Sequence, residues 1–227
     1  MHAKSKLLGI RYHTAADTYQ IISEGTIPEH FVWWDKITEA QAKEFKEVVL
    51  TAKDERPIQC FLEINPFILV QHLSGGHGRW VVPSKRFGAE YVPDFVIGEL
   101  NSLGHHWKVV ELESPTASLF TKAGDPAKAL NHAIRQITEW RAWLKDNRDY
   151  ATRLKDEGGL GLKDIDSNVP GLILIGRRRV VTPECNRLRR QLSDDLNIQI
   201  HTYDYLLDAV SERATWLTSQ RRSRSPV

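Results

Sequence analysis

Apolar residues recur every three to four positions in the first part of the chain and predict two consecutive helices. Thr38, with Gln41 three positions later, has the residues of a capping box, and apolar positions at helical spacing continue to about residue 54. Pro57 is suited to the first turn of a second helix. Pro66 should end that helix, because the residue before a proline avoids helical geometry.

The pattern then changes to short runs of β-branched and aromatic residues that are separated by turn residues. Runs of this kind predict strands, and their close succession along the chain predicts an antiparallel meander. The three runs are RWVVPSKRF, EYVPDFVIGEL and HWKVVELES.

Helices and strands alternate in the second half of the chain. A long amphipathic helix is predicted from about Pro126 to about Glu157, before the stop at Gly158 and Gly159. GLILIG is typical of a strand buried on both faces, and Thr182 is suited to cap a following helix. A strand, NIQIHTYD, and a helix, YLLDAVSERATWL, complete the pattern. The order of elements predicts an α/β (α+β) fold with a mixed central β-sheet flanked by helices.

These patterns divide the chain into three parts. Residues 1–37 mix apolar and polar positions with glycine and proline breaks, so we expect an N-terminal appendage of short strands. Residues 38–218 form the main domain. The polar, basic residues 219–227 are expected to be a disordered tail.

Composition restricts the class of protein but does not name a partner. Hydrophobic residues make up 41% of the 227 residues and charged residues 26%, which excludes collagen-like, coiled-coil and wholly disordered chains. The net charge of +2 gives no general argument for nucleic-acid binding, so any such surface must be local. Cys60 and Cys185 are far apart, and no apolar run is long enough for a signal peptide or a membrane span. We therefore expect a cytoplasmic protein without a membrane partner.

Three acidic residues lie at corresponding ends of two predicted strands. Asp94 begins one strand, and Glu111 and Glu113 lie near the end of the next, where alternation along the strand puts both glutamates on one face. If the strands pair as a hairpin, the three carboxylates approach one another, and a divalent cation would relieve their repulsion. Oxygen ligands of this kind suit Mg²⁺ or Mn²⁺. The alternative is that the acids line a solvated strand face.

The spacing of these residues resembles the PD-(D/E)XK nuclease signature, which begins here at Pro93-Asp94 and ends at Glu111-Leu112-Glu113. The surrounding segments resemble, in content and order, the nuclease domain of the Shedu family of anti-phage defence proteins. The resemblance extends over roughly residues 40 to 210. It rests on FLEINPFIL, VPDFVIG, VVELESP, SLFTKAGDPAKALNHAIRQITEW and GLILIGRRR.

The resemblance implies a restriction-endonuclease-like fold and a metal-dependent DNA endonuclease that acts in anti-phage defence. It makes Asp94 and Glu111 ligands of Mg²⁺ or Mn²⁺, with the Leu112 carbonyl as a further ligand, and places Glu63 and Gln136 beside the site. It also implies a homo-oligomer and no organic cofactor.

One position departs from the family pattern. Glu113 occupies the third motif position, where lysine is usual, so the cation that would orient the attacking water is missing. Glu113 could instead bind a second metal ion or act as a base, and Lys122 in the following loop could supply a cation. Alternatively, the site is degenerate and the chain is a nucleic-acid-binding or assembly module. A metal-free structural interaction domain is the third hypothesis.

Other polar residues give weaker indications. His132 and Gln136 are four positions apart on the flank of the long helix, where they could face the acids or solvent. Arg177, Arg178 and Arg179 follow the buried strand and are candidates to contact nucleic-acid phosphates, although they could also be solvated loop residues.

Overall fold

A computed structural model describes residues 27–73, 78–83 and 93–224 of the chain, without the side chains of residues 222 and 224. The described α-helices are α1 (Glu39–Thr51), α2 (Arg56–Ile64), α3 (Lys128–Thr152), α4 (Pro183–Leu196) and α5 (Tyr203–Arg224). The strands are β1 (Gly78–Pro83), β2 (Phe95–Asn101), β3 (Gly104–Leu112), β4 (Gly171–Leu174) and β5 (Ile198–His201). Short 3₁₀ helices occupy Pro28–His30, Trp34–Lys36, Pro66–Ile68 and Arg178–Val180.

The five strands form one mixed sheet in the order β1-β2-β3-β4-β5. The first three strands are antiparallel neighbours, and a two-residue turn joins β2 to β3. Strands β4 and β5 run parallel to β3. Parallel pairing requires a long crossover, and α3 and α4 supply the two crossovers. The mixed α/β sheet flanked by helices that the sequence predicted is confirmed.

Each face of the sheet is covered by its own apolar core. On one face α1, α2 and α5 pack through side chains such as Phe45, Leu62 and Leu206 against inward residues of the strands. On the other face α3 packs through Ile137, Trp140 and Leu144. Because both faces are covered, the polar chemistry of the sheet is confined to its edges and strand ends.

The long helix α3 is shorter than predicted at both ends. It begins at Lys128 and ends at Thr152, because Arg153 leaves the helical conformation. The Tyr150 and Arg153 carbonyls then accept hydrogen bonds from the amides of Leu160 and Gly161, respectively. The chain therefore turns before it reaches Gly158 and Gly159, where the sequence placed the stop.

Both ends of the described chain differ from the expected arrangement. Within residues 27–37 the structure has two 3₁₀ helices and a single bridge between Phe31 and Trp80 rather than strands, because Ile27 and Ile37 are drawn fully into the core. The rest of the expected appendage, residues 1–26, lies outside the described residues.

At the other end α5 continues to Arg224, so residues 219–224 are helical rather than disordered. The Arg221 guanidinium donates a hydrogen bond to the Asp35 carbonyl at 3.0 Å and holds this last part of the helix against the domain. No helix in the described part of the chain is long and apolar enough to cross a membrane.

The β2–β3 pairing depends on a close approach between Gly98 and Trp107. These residues are partners in the register, and a Cβ atom at Gly98 would lie 2.5 Å from Cζ3 of the buried indole. We predict that Gly98→Ala lowers the free energy of unfolding by about 1–3 kcal/mol, since the ring would be displaced from a packed core. Chemical denaturation measures the change. In a Trp107→Leu background the same substitution should cost much less, and an equal cost in both backgrounds would contradict the steric explanation.

Candidate active site

The register of the β2–β3 hairpin brings the first two acidic residues together. Phe95 pairs with Val110, so Asp94 lies opposite Glu111 at the next position of the ladder. Asp94 Oδ2 accepts a hydrogen bond from the Leu112 amide at 2.8 Å. The amide and carbonyl of one strand residue point to the same side, so the Leu112 carbonyl also faces the Asp94 strand.

Glu111 is a buried acid that points toward α3. It is 4% exposed, and Gln136 on α3 forms a hydrogen bond with its carboxyl group. Its Oε2 atom and the Gln136 Oε1 atom make no hydrogen bond within the described part of the chain. Burial, followed by the neighbouring Asp94 and Glu113, raises the pKa of Glu111 to about 10.

Burial also disfavours the charged form of Asp94, although less strongly than that of Glu111. Burial raises its pKa to about 6, and the hydrogen bonds from the Leu112 amide and from Glu111 only partly offset the effect. Glu111 therefore keeps its proton and donates it to the Asp94 carboxylate when no cation is present. Asp94 and Glu111 therefore share a proton in the metal-free protein, and a bound cation could replace that proton and neutralise the two carboxylates.

Glu113 pairs with a histidine of α3. Its Oε1 atom lies 3.1 Å from His132 Nδ1, with the Glu113 side chain 14% exposed and the His132 side chain 51% exposed. Burial raises the pKa of Glu113, and the hydrogen bond with His132 opposes that rise. The Glu113 backbone is fixed too, because its amide donates to Leu174 O and its carbonyl accepts from the buried Tyr203 hydroxyl at 2.8 Å.

Helix α2 adds two further acids near the site. Glu63 is among the charges that raise the pKa of Asp94, as the sequence led us to expect of a residue beside the site. Glu55, at the N-cap of α2, raises the pKa of Asp94, Glu113 and Tyr203. Sequence reasoning missed Glu55. The available signal was its separation of eight positions from Glu63, slightly more than two helical turns, which places both on one face.

The structure does not bring the proposed cations to the acids. Lys122 is exposed, and it is not among the charges that act most strongly on Asp94, Glu111 or Glu113. In place of a lysine, the group that contacts Glu113 is His132.

The three consecutive arginines have different surroundings. Arg177 forms a two-point ion pair with Asp204, through Nε at 3.1 Å and Nη2 at 3.0 Å. Arg178 forms an ion pair with Asp208. The ion pairs of Arg177 and Arg178 therefore link the segment after β4 to the start of α5. Within the described part of the chain, Arg179 is the member of this run without an ion pair.

The donor atoms suit a hard divalent cation. Asp94 and Glu111 contribute carboxylate oxygens, the Leu112 carbonyl faces the same side, and Glu111 has an oxygen without a hydrogen-bond partner among the described residues. In the described ranges, no three His, Cys, Asp or Glu side chains converge as a preformed metal centre. The residues therefore fit an ion held by two carboxylates, a backbone carbonyl and water rather than a cage of side chains.

A model of the C-terminal region of the Shedu protein SduA matches residues 52–207, which include Asp94, Glu111 and Glu113. The chain belongs to the Shedu family. The family resemblance predicted from the sequence is thereby confirmed. No protein of curated function matches the Shedu chain significantly.

Among solved structures, the restriction endonuclease FokI bound to DNA matches the Shedu chain with 14% identity and a TM-score of 0.32. The match covers 97% of this chain and 32% of the FokI chain, so the Shedu chain spans about a third of that protein. A likeness at this TM-score carries no argument about function.

The shared proton predicts a pH-dependent stability of the metal-free protein. The pKa of Glu111 rises from its usual 4.5 to about 10 on folding, so the folded state holds a proton that the unfolded state has lost between these values. Stability should therefore fall as the pH rises from about 4.5 toward 10. Glu111→Gln should reduce this slope and stabilise the metal-free protein at pH 8 by at least about 1 kcal/mol. Thermal denaturation in EDTA measures both effects.

The matched control is Glu47→Gln on the exposed side of α1, which should leave the slope unchanged. A wild-type slope that Glu111→Gln does not alter would show that Glu111 is not the buried, protonated group.

Proposed function

We propose that this Shedu protein is a Mg²⁺- or Mn²⁺-dependent endonuclease that hydrolyses DNA phosphodiester bonds in anti-phage defence. The observation that supports it best is the pairing of Asp94 with Glu111 across the β2–β3 register, at the strand ends and with a shared proton. Uncompensated burial of two neighbouring carboxylates destabilises a fold, and sites of this kind are concentrated where a protein performs chemistry. DNA as substrate and assembly as a homo-oligomer are proposed from the family.

Asp94, Glu111 and the Leu112 carbonyl would hold the metal ion. When bound, the ion would lower the pKa of a coordinated water and offset charge on the phosphate. Gln136 would hold the Glu111 carboxylate in position through its hydrogen bond, and the Leu112 amide would do the same for Asp94. The acids of α2, Glu55 and Glu63, add negative charge that favours cation binding at this end of the sheet.

His132 takes the place of the lysine that the usual motif has at position 113. In the pair formed by Glu113 and His132, Glu113 is the more buried partner. Its carboxylate accepts a hydrogen bond from His132 Nδ1, while half of the imidazole surface remains exposed. A carboxylate bonded to one ring nitrogen fixes the orientation and tautomer of the ring, which leaves Nε2 to exchange a proton with water or substrate. In this proposal Glu113 is a positioning residue and His132 transfers the proton.

The second candidate is a nuclease-fold module that has lost catalysis and binds nucleic acid or mediates assembly. The observation that favours it is Glu113 itself, since the lysine of the usual motif is absent. Cleavage experiments distinguish the two candidates.

We predict that the purified protein cleaves plasmid DNA with Mg²⁺ or Mn²⁺ and not with EDTA. Asp94→Asn and Glu111→Gln should each lower the cleavage rate at least about a hundredfold, because each removes a metal ligand from the reaction centre. Both variants should remain folded by circular dichroism, and Glu47→Gln should cleave at the wild-type rate. Absence of cleavage by the wild type with either ion would favour the binding module, and an active Asp94→Asn variant would show that the site is assigned wrongly.

We predict that His132→Ala lowers the cleavage rate about 10²–10⁴-fold, the range for loss of a general acid or base. Glu113→Gln should lower it less and change the pH dependence of the rate. Glu113→Lys should abolish cleavage, because its ammonium group would compete with the metal ion for its place beside the acids. The double variant His132→Ala/Glu113→Gln should be no slower than His132→Ala alone.

Arg135→Ala is the matched control for these variants, because Arg135 lies on the exposed side of the same helix, with its side chain 67% exposed. Additive losses in the double variant would mean that Glu113 acts independently of His132, for example as a metal ligand.

A further inference from the structure

Positive charge is concentrated in the segment that follows β4 and includes most of α4. Six arginines and one acid, Glu184, lie between Gly176 and Ser193. The arginines are Arg177, Arg178, Arg179, Arg187, Arg189 and Arg190. Because the net charge of the whole chain is only +2, this segment is a local exception to an otherwise balanced protein.

Ion pairs neutralise three of the six arginines. Arg177 and Arg178 are paired with two aspartates of α5. Arg187 contacts Glu184 through Nε at 3.0 Å and Nη2 at 2.6 Å. The charges of these three guanidinium groups are therefore compensated within the fold.

The other three guanidinium groups, those of Arg179, Arg189 and Arg190, have no ion pair within the described part of the chain. Arg179 and Arg190 are exposed, and Arg189 is partly buried. Burial lowers the pKa of Arg189, and the charges of Arg190 and Arg178 lower it further. The cations of this segment therefore repel one another, and an external anion would relieve the repulsion.

The segment begins at the end of the sheet that carries the candidate active site. The Leu174 carbonyl accepts a hydrogen bond from the Glu113 amide at 2.9 Å. Two positions later the Gly176 amide donates to the Ser114 carbonyl at 3.1 Å. The arginines that follow Gly176 therefore start beside the end of β3, where the candidate site lies.

Helix α4 extends this positive surface away from the site. A Cβ atom at Gly124, in the loop after β3, would lie 3.6 Å from Leu188 Cδ1, so the helix packs beside that loop. At 1.5 Å per residue, the distance along the helix axis from the N-cap Thr182 to Arg190 is about 12 Å. Base pairs of a duplex are about 3.4 Å apart, so this length corresponds to about three to four base pairs.

We propose that Arg179, Arg189 and Arg190 bind the phosphate backbone of duplex DNA beside the candidate active site. This inference rests on the proposed function and assigns a surface that holds its substrate. Guanidinium groups stay charged and donate directional hydrogen bonds to phosphate oxygens. Three of them along one surface suit the repeated charges of a nucleic-acid backbone better than a single small anion. Their attraction would oppose the repulsion of DNA by Glu55 and Glu63 near the site.

Fluorescence anisotropy of a labelled duplex, titrated with the full chain in EDTA to prevent cleavage, tests this proposal. Each phosphate contact adds about 0.9 to the slope of log affinity against log salt concentration. Three contacts predict that the affinity of the wild type falls at least about fortyfold between about 50 and about 200 mM NaCl. Arg179→Gln, Arg189→Gln and Arg190→Gln should each reduce the slope by about 0.9, and the triple variant by about 2.7.

Arg148→Gln is the matched control, because it removes the same charge at the opposite end of the sheet. Helix α3 begins near Glu113, which contacts His132, and Arg148 lies near its other end with its side chain 60% exposed. This variant should keep the wild-type slope.

The outcomes separate this proposal from the nuclease function. DNA binding with the expected slopes by a wild type that does not cleave would support the surface and contradict the nuclease. Cleavage by the wild type together with a wild-type slope in the triple variant would overturn the surface and leave the nuclease intact. Absence of DNA binding at about 50 mM NaCl would also overturn the surface. Tighter binding of polyglutamate than of the duplex would overturn it too and indicate an acidic protein partner.

Discussion

The antiparallel register of β2 and β3 is the constraint on which the candidate active site depends. It places Asp94 opposite Glu111 and turns the Leu112 amide and carbonyl toward the Asp94 strand. A shift of one residue would move Glu111 to the other face of the sheet, into the apolar core formed with α1 and α2. The contact between Gly98 and Trp107 favours the correct register, so a packing contact within the hairpin fixes the geometry at its end.

Burial of the Asp94 and Glu111 carboxyl groups lowers the stability of the same fold that positions them. Both sheet faces are covered by apolar side chains, and Glu111 is enclosed between the sheet and α3 with one oxygen lacking a hydrogen-bond partner among the described residues. A protein selected for stability alone would place an apolar residue there. The buried acid, its neighbour Asp94 and Gln136 are therefore explained by the proposed binding of a cation and not by stability.

The sequence predicted most of the fold because its patterns are local. The capping box at Thr38, the apolar run of β4 and the proline that opens α2 each act over a few residues, and all are found in the structure. The helical continuation of α5 depends on a distant carbonyl, that of Asp35, which no local pattern contains. The end of α3 depends on hydrogen bonds from the amides of Leu160 and Gly161 to carbonyls at its own end, which the hydrophobic pattern does not show.

The same distinction applies to the candidate site. Alternation along a strand was enough to group Glu111 with Glu113. Helical spacing put His132 and Gln136 on one flank of α3 but left open whether they face the acids or solvent, and in the structure both contact the acids. The partners of Arg177 and Arg178 on α5 could not be inferred, because they lie about thirty positions away in the chain. Glu55 was missed because it lies at the boundary of a helix, where propensity alone does not show which way a side chain points.

Helix α3 carries both His132 and Gln136, and the same helix anchors the second core through Trp140 and Leu144. The backbone positions of these two polar residues are therefore linked, because both lie on one helix. The orientation of that helix is set by the packing of its apolar residues farther along. A small rotation of α3 would move His132, the partner of Glu113, and Gln136, the partner of Glu111, together. The relative position of these candidate-site groups therefore depends on the angle at which α3 crosses the sheet, so a substitution in the second core that changes this angle would also displace groups at the strand ends.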